Sequence, residues 1–307
     1  MTVEIRSLFQ ARCDNRQITS RSGPNPTDWV SAALPDSGKA LSFHFFVNWT
    51  LRPPQVSGSL WFTSLAFASS LEALNSTSNV DVLKAFQESG AFQYLSDLAK
   101  LGNRLNLPTE AMLLGETSQG TTTGDSPVWR VSLTNEPNEH LKIERLSVNE
   151  LSAIICEIRG GQANLGSKGL TFGTSAVECY LSKTRNIFPG DCDCLILLDG
   201  NPVAVLEMKK HTLGNPIRDN LASKYYPLPD GRKYDALFAL QDKFRKEIGV
   251  IVPVAVIYYA TKFDGLRVQV IEKRTGALFA TKDSGDICRG NLTQRELGEV
   301  IIRTIQS

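Results

Sequence analysis

Apolar and polar positions follow two kinds of spacing along the 307-residue chain. In the first half, Leu41 to Leu51 and Ser57 to Phe67 are rich in aromatic and β-branched residues, which predicts strands. Val80 to Leu105 has apolar positions at helical spacing, interrupted at Gly90. A polar loop rich in Ser, Thr and Gly follows at Glu116 to Pro127. At Ser147 to Arg159 the pattern predicts a helix: Ser147 can serve as N-cap, Glu150 completes a capping box, and Gly160-Gly161 ends the helix.

The second half reads as a helix at Thr174 to Thr184, a strand at Cys192 to Leu198, a turn at Asp199-Gly200-Asn201 and a strand at Pro202 to Lys210. The two strands form a hairpin. Beyond a polar stretch containing proline, the pattern predicts a helix at Arg232 to Glu247. A buried strand at Val250 to Thr261 (despite Pro253), a strand at Leu266 to Glu272 and a closing helix at Thr293 to Ile305 follow, the last opened by the capping pair Thr293 and Glu296. No internal repeat is present. The class is α/β (α+β), with an N-terminal α+β region at residues 1–145 and a second domain at residues 146–307.

The hairpin concentrates chemistry. With a three-residue turn, Gly200 or Asn201 supplies the positive φ, and Leu198 faces Pro202. Asp193 then faces Glu207, and Asp191 faces Lys209. Facing residues share a side of the sheet and alternate residues return to it, so Asp191, Asp193, Glu207 and Lys209 project together. Lys210 points to the other side. The remaining positions, such as Leu195, Ile196, Val205 and Leu206, are apolar, as in a sheet covered on both faces. Three clustered carboxylates repel one another unless a cation neutralises them. Oxygen ligands in that number suit Mg²⁺ or Mn²⁺, which polarises a phosphodiester and activates a bound water while a nearby ammonium stabilises developing charge.

Composition sets limits on this picture. Hydrophobic residues at 42% and charged residues at 21% describe an ordinary soluble protein. No apolar run reaches the ~20 residues of a membrane helix, and no basic segment followed by an apolar stretch opens the chain, so a cytoplasmic setting is expected. Six cysteines without a CxxC pair read as reduced thiols, with Cys192 and Cys194 packed on the face away from the acidic cluster. Three histidines, His44, His140 and His211, have no ligand-like spacing, which argues against zinc. Net charge is +1, yet residues 183–274 hold 15 basic and 11 acidic side chains against 10 and 13 in residues 1–140. The basic surplus accompanies the acidic motif. Gly161 to Lys168 lacks the Gly-Lys-Ser/Thr order of a phosphate-binding loop.

The string Pro189-Gly190-Asp191-Cys192-Asp193-Cys194-Leu195-Ile196, followed by Ala204-Val205-Leu206-Glu207-Met208-Lys209, resembles the signature of the PD-(D/E)XK nuclease superfamily. The resemblance covers roughly residues 170 to 262 and implies a restriction-endonuclease-like core, a mixed central sheet flanked by helices in the order αβββαβ. Only Asn186 to Pro189 separates the first helix from the hairpin, so the first strand is expected before that helix, around Gly169 to Phe172.

Carried over by residue, Asp193 matches the motif aspartate, with Asp191 as second choice. Glu207 is then the second metal ligand, Lys209 the catalytic lysine, and the Met208 carbonyl part of the metal shell. Glu178 resembles the acidic residue of the preceding helix, and Gln241 the glutamine of the following one. The resemblance implies a Mg²⁺- or Mn²⁺-dependent endonuclease acting on DNA rather than RNA, leaving 5′-phosphate and 3′-hydroxyl ends, in restriction, phage defence or repair. A homodimer or a partner subunit is compatible with that. The segment Lys224 to Tyr234 mixes basic and aromatic residues, so Lys224, Tyr225, Tyr226, Arg232 and Lys233, with Lys210, are candidate nucleic-acid contacts. Two rivals are a catalytically silent nucleic-acid-binding or assembly subunit and an RNA-cleaving effector.

Overall fold

A computed structural model describes residues 3–16, 25–133, 141–161, 170–186, 188–228 and 231–307. His140, Gly169, the residues from Gln162 to Lys168 and Pro229-Asp230 lie outside the described residues. The first elements are β1 (Glu4–Arg6), β2 (Ala11–Arg12), α1 (Pro26–Ala33), β3 (Gly38–Asn48), β4 (Gln55–Ala68), α2 (Leu71–Ser76), α3 (Asn79–Glu88) and α4 (Ala91–Arg104). Next come β5 (Thr109–Thr117), β6 (Pro127–Leu133), β7 (Leu141–Ser147), α5 (Val148–Ile158), β8 (Phe172–Gly173), α6 (Ala176–Leu181), β9 (Gly190–Leu198) and β10 (Asn201–His211). The chain closes with α7 (Ala222–Tyr225), α8 (Gly231–Ile248), β11 (Val254–Ala260), β12 (Leu266–Arg274), β13 (Ala277–Asp283) and α9 (Gln294–Gln306). The fold is α+β, with a large mixed sheet flanked by helices.

Two compact units are formed. Unit 1 comprises Met1–Ser22, His44–Arg52 and Ser57–Gly190, and unit 2 comprises Gly23–Phe43, Pro53–Val56 and Asp191–Ser307. The partition expected at residues 145 and 146 falls inside β7, which pairs along its length with β6 and runs directly into α5. No linker separates the two there.

In unit 1, β4 and β5 are parallel, joined through α2, α3 and α4, while β6 and β7 extend the sheet antiparallel. Side-chain alternation buries both faces of β5: Ala111 and Leu113 pack with Leu74, Phe86 and Leu95, whereas Met112 and Leu114 pack with Leu151, Ile155 and Val177. Gly90, at φ 77°, separates α3 from α4, in the left-handed region that glycine tolerates. The Ser147/Glu150 capping box opens α5 as expected.

The segment around Phe172 is not a strand of the main sheet. It forms β8, which pairs only with β2 in a separate two-stranded sheet. That pairing brings Cys13 beside Cys179, and the two are joined in a disulfide with Cα atoms 5.4 Å apart. The expectation of six reduced thiols is therefore corrected: Cys156, Cys192, Cys194 and Cys288 are free. The partners are 166 residues apart in sequence, so only the tertiary fold reveals their proximity.

In unit 2 the strand order is β13-β12-β11-β10-β9, followed by the part of β3 within this unit. β10 and β11 are parallel and the other pairs among β9 to β13 antiparallel. One face packs Cys194, Ile196, Leu206, Ala255 and Ile257 against Trp29 and Val30 of α1 and Leu297, Ile301 and Ile305 of α9. The other carries Glu207 and meets α8, which connects β10 to β11. Because β9 runs antiparallel to β10, its first residues lie beside the last residues of β10. That end of the sheet gathers the charged groups.

Candidate active site

The hairpin reaches the expected register by a different route. The turn has two residues, Asp199 at φ 50° and Gly200 at φ 72°, both left-handed as a tight hairpin with strongly twisted strands requires. Asn201 therefore faces Leu198 and Pro202 faces Leu197, one position away from the register a three-residue turn gives. A bulge between Pro202 and Ala204 then adds a residue to β10, after which Ala204 faces Ile196, Val205 faces Leu195 and Leu206 faces Cys194. Continued by one residue, this register sets Glu207 across from Asp193. Without the bulge, every side chain beyond it would exchange faces.

The amide of Met208 donates to Oδ2 of Asp193 at 2.7 Å, locking that carboxylate against β10. Glu207 is 1% exposed. Its Oε1 lies 3.4 Å from the Lys209 ammonium and its Oε2 lies 2.8 Å from that of Lys233. Lys233 also reaches Oδ1 of Asp191, at 3.3 Å. Asp191, Asp193, Glu207 and Lys209 thus share one environment, which Lys233 joins from α8.

Lys233, expected as a nucleic-acid contact, is part of this cluster, with its side chain 31% exposed. Its signal was present in the sequence. Lys233, Leu237, Leu240 and Phe244 follow one another at helical spacing, and the three apolar members are fully buried. A lysine on a buried stripe needs carboxylate partners.

Burial, and then the charge of Glu207, push the Asp193 carboxyl well above the ordinary aspartate range, against the lowering influence of Lys233. Burial disfavours the Lys233 ammonium, but the charges of Glu207, Asp191 and Asp193 outweigh it and hold its pKa well above the ordinary lysine value. Three carboxyl groups face two ammonium groups, and ionising all three leaves an excess of negative charge around the buried Glu207. Burial likewise raises the Cys192 thiol and takes that of Cys194 to about 12, so both are packed, protonated thiols.

That excess is the chemistry a divalent cation neutralises. Among the described residues no three acidic, imidazole or thiol side chains converge closely enough to enclose an ion by themselves. Mg²⁺ needs no such cage, since it is usually held by one or two carboxylates together with waters and substrate phosphate oxygens. Asp193 and Glu207 on adjacent strands fit that donor set.

Beside the cluster is a cavity of about 300 Å³, lined by Lys209, Lys210, Tyr225, Tyr234 and Tyr258 among others. Lys210, expected to point away from the site, lines it as Lys209 does. The cavity lies at the C-terminal end of β10, where open α/β sheets commonly bind ligands. Lys209 is 5.5 Å from the centre of the Tyr234 ring.

Other expected residues make contacts of their own. Gln241 donates to the carbonyl of Val252 at 2.7 Å. Val252 precedes Val256, the residue paired with Glu207, by four positions, roughly 13 Å of extended chain. Gln241 thus secures the approach to β11, away from the carboxylates. Glu178 belongs to unit 1, where its carboxylate accepts from the amide of Thr174 and, at 2.8 Å, from the Thr174 hydroxyl at the start of α6. Tyr226 donates to Asp235 at 2.9 Å and packs on Tyr234. Lys224, Arg232 and Lys210 are exposed, Lys224 donating to the carbonyl of Asp219. No protein-family model matches the chain, and no curated protein matches it either.

Proposed function

We propose that unit 2 is a metal-dependent endonuclease of the PD-(D/E)XK type, with a restriction-endonuclease-like core, that hydrolyses phosphodiester bonds of DNA. The observation that carries this reading is the meeting of Asp191, Asp193, Glu207 and Lys209 at one end of an antiparallel pair, with Lys209 also lining a cavity. Asp193 and Glu207, with the carbonyl of Met208, would hold Mg²⁺ or Mn²⁺. Such an ion supplies polarisation of the phosphodiester and a bound water of lowered pKa.

The chain's own groups do the rest. Met208 fixes the Asp193 carboxylate through its amide. Lys209 offers an ammonium to a phosphate oxygen or to the attacking water as charge develops. Lys233 holds Asp191 and Glu207 together. The exposed cations Lys210, Lys224 and Arg232 attract the phosphate backbone. In this reading the protein serves restriction, phage defence or repair in the cytoplasm, alone, as a homodimer or with a partner subunit. No helix among the described residues is long and apolar enough to cross a membrane.

A second reading has its own observation. The Lys233 ammonium already bridges Asp191 and Glu207, as expected of a silent subunit that keeps the fold and binds nucleic acid without cutting it. Incubation of the protein with labelled DNA and RNA side by side, with Mg²⁺ or with chelator, separates these readings. Cutting of DNA that requires the metal, and that falls by at least about 100-fold in Lys209→Ala while binding persists, is the expected result. Undiminished cutting in Lys209→Ala would reject the site, absence of metal-dependent cutting would favour the silent subunit, and cutting of RNA alone would favour an RNA-cleaving effector.

A further inference from the structure

The cavity beside the carboxylates is built for more than a phosphate. It combines the cations Lys209 and Lys210 on β10 with the rings of Tyr225, Tyr234 and Tyr258. Tyr234 and Tyr258 are buried, and Tyr258 is pinned by the Ala222 amide, which donates to its hydroxyl at 2.7 Å. Tyr225 differs. It is 36% exposed at the end of α7, and its hydroxyl donates to Oδ1 of Asn220 at 2.8 Å. The rim thus holds an oriented ring with accessible surface. About 300 Å³ is at the small end of ligand pockets and gives room for one base with its sugar.

Resting on the nuclease reading of the adjacent site, we infer that this cavity receives a single unpaired nucleoside next to the scissile phosphate, stacked on Tyr225. The substrate class is therefore single-stranded DNA, or duplex carrying an unpaired or extruded nucleotide, rather than intact duplex. Continuity supplies the link: Lys209 lies 3.4 Å from Glu207 and also lines the cavity, so a strand whose phosphate meets Lys209 has its neighbouring nucleoside at the cavity mouth. An aromatic face accepts any base, so the pocket selects for unpairing and not for sequence.

The test measures binding and cutting separately. Anisotropy of one labelled oligonucleotide, presented with Ca²⁺ as a single strand, as matched duplex and as duplex with one unpaired nucleotide, reads affinity. Mg²⁺-supported cleavage of the same three reads activity. The expected preference for the unpaired forms is about tenfold, the worth of one base–aromatic stack, retained in Tyr225→Phe and lost in Tyr225→Ala. Equal affinity for all three forms, or a preference that survives Tyr225→Ala, overturns the inference. Cleavage of matched duplex at the rate of the single strand overturns it as well and leaves the nuclease reading standing. The binding preference without any cleavage upholds the pocket and rejects the nuclease.

Discussion

Each unit buries ionised side chains against a sheet with a parallel crossover, and the two handle them differently. In unit 1, Arg16 and Glu116 are 2% and 1% exposed and satisfy one another completely. Arg16 donates to Glu116 at 2.8 Å and to the carbonyls of Gly173 and Phe9, while Glu116 also accepts from the amide of Ala176 at 2.7 Å. One charge meets one opposite charge, and their remaining hydrogen-bonding capacity goes to backbone. In unit 2, Asp191 and Glu207 pair with Lys233, Glu207 also pairs with Lys209, and Asp193 accepts from the Met208 amide, beside a cavity. A closed pair is structure; an unbalanced cluster with an opening is a place where something binds.

Amide or apolar replacements sharpen the contrast. Arg16→Met strands a buried carboxylate and should cost about 3–5 kcal/mol of stability, measured by denaturant unfolding. Glu207→Gln, an equally buried site, removes a like charge along with two ion-pair partners and should change stability by less than about 1 kcal/mol. Equal losses in the two variants would break the comparison.

A smaller effect concerns pH. The Asp193 carboxyl stands above its ordinary value of 3.8 in the folded protein, so folding favours its protonated form. The contribution is complete below that value and is lost as pH rises through the folded pKa. Chelated protein should therefore show a melting temperature that declines as pH rises from about 4, more in wild type than in Asp193→Asn. Identical pH profiles for the two would remove Asp193 from the account.

How much of this was legible follows from whether the signal was local. The capping boxes at Ser147 and Thr293, the break at Gly90 and the hairpin rest on residues a few positions apart, and all are present. The acidic cluster was legible for a fortunate reason, since the two-residue turn and the bulge at Val203 cancel in register. Either alone would have turned Glu207 to the other face. The Cys13–Cys179 bridge depends on β2 meeting β8 and has no local trace. Strand β13 is mostly exposed and pairs with β12 alone, so it lacks the apolar alternation that announces a strand. Gln241 lay on a helical stripe in the sequence, but only the fold shows that its amide meets Val252. The helical stripe carrying Lys233 is legible in the sequence, but only the fold shows that its ammonium meets Asp191 and Glu207.

The most direct test is crystallographic: anomalous difference density from Mn²⁺ in crystals grown with a non-cleavable oligonucleotide. The account predicts a peak in contact with the carboxylates of Asp193 and Glu207, with the Lys233 ammonium displaced from Glu207. A cluster that stays free of Mn²⁺ under those conditions, with Lys233 still seated between Asp191 and Glu207, would contradict it.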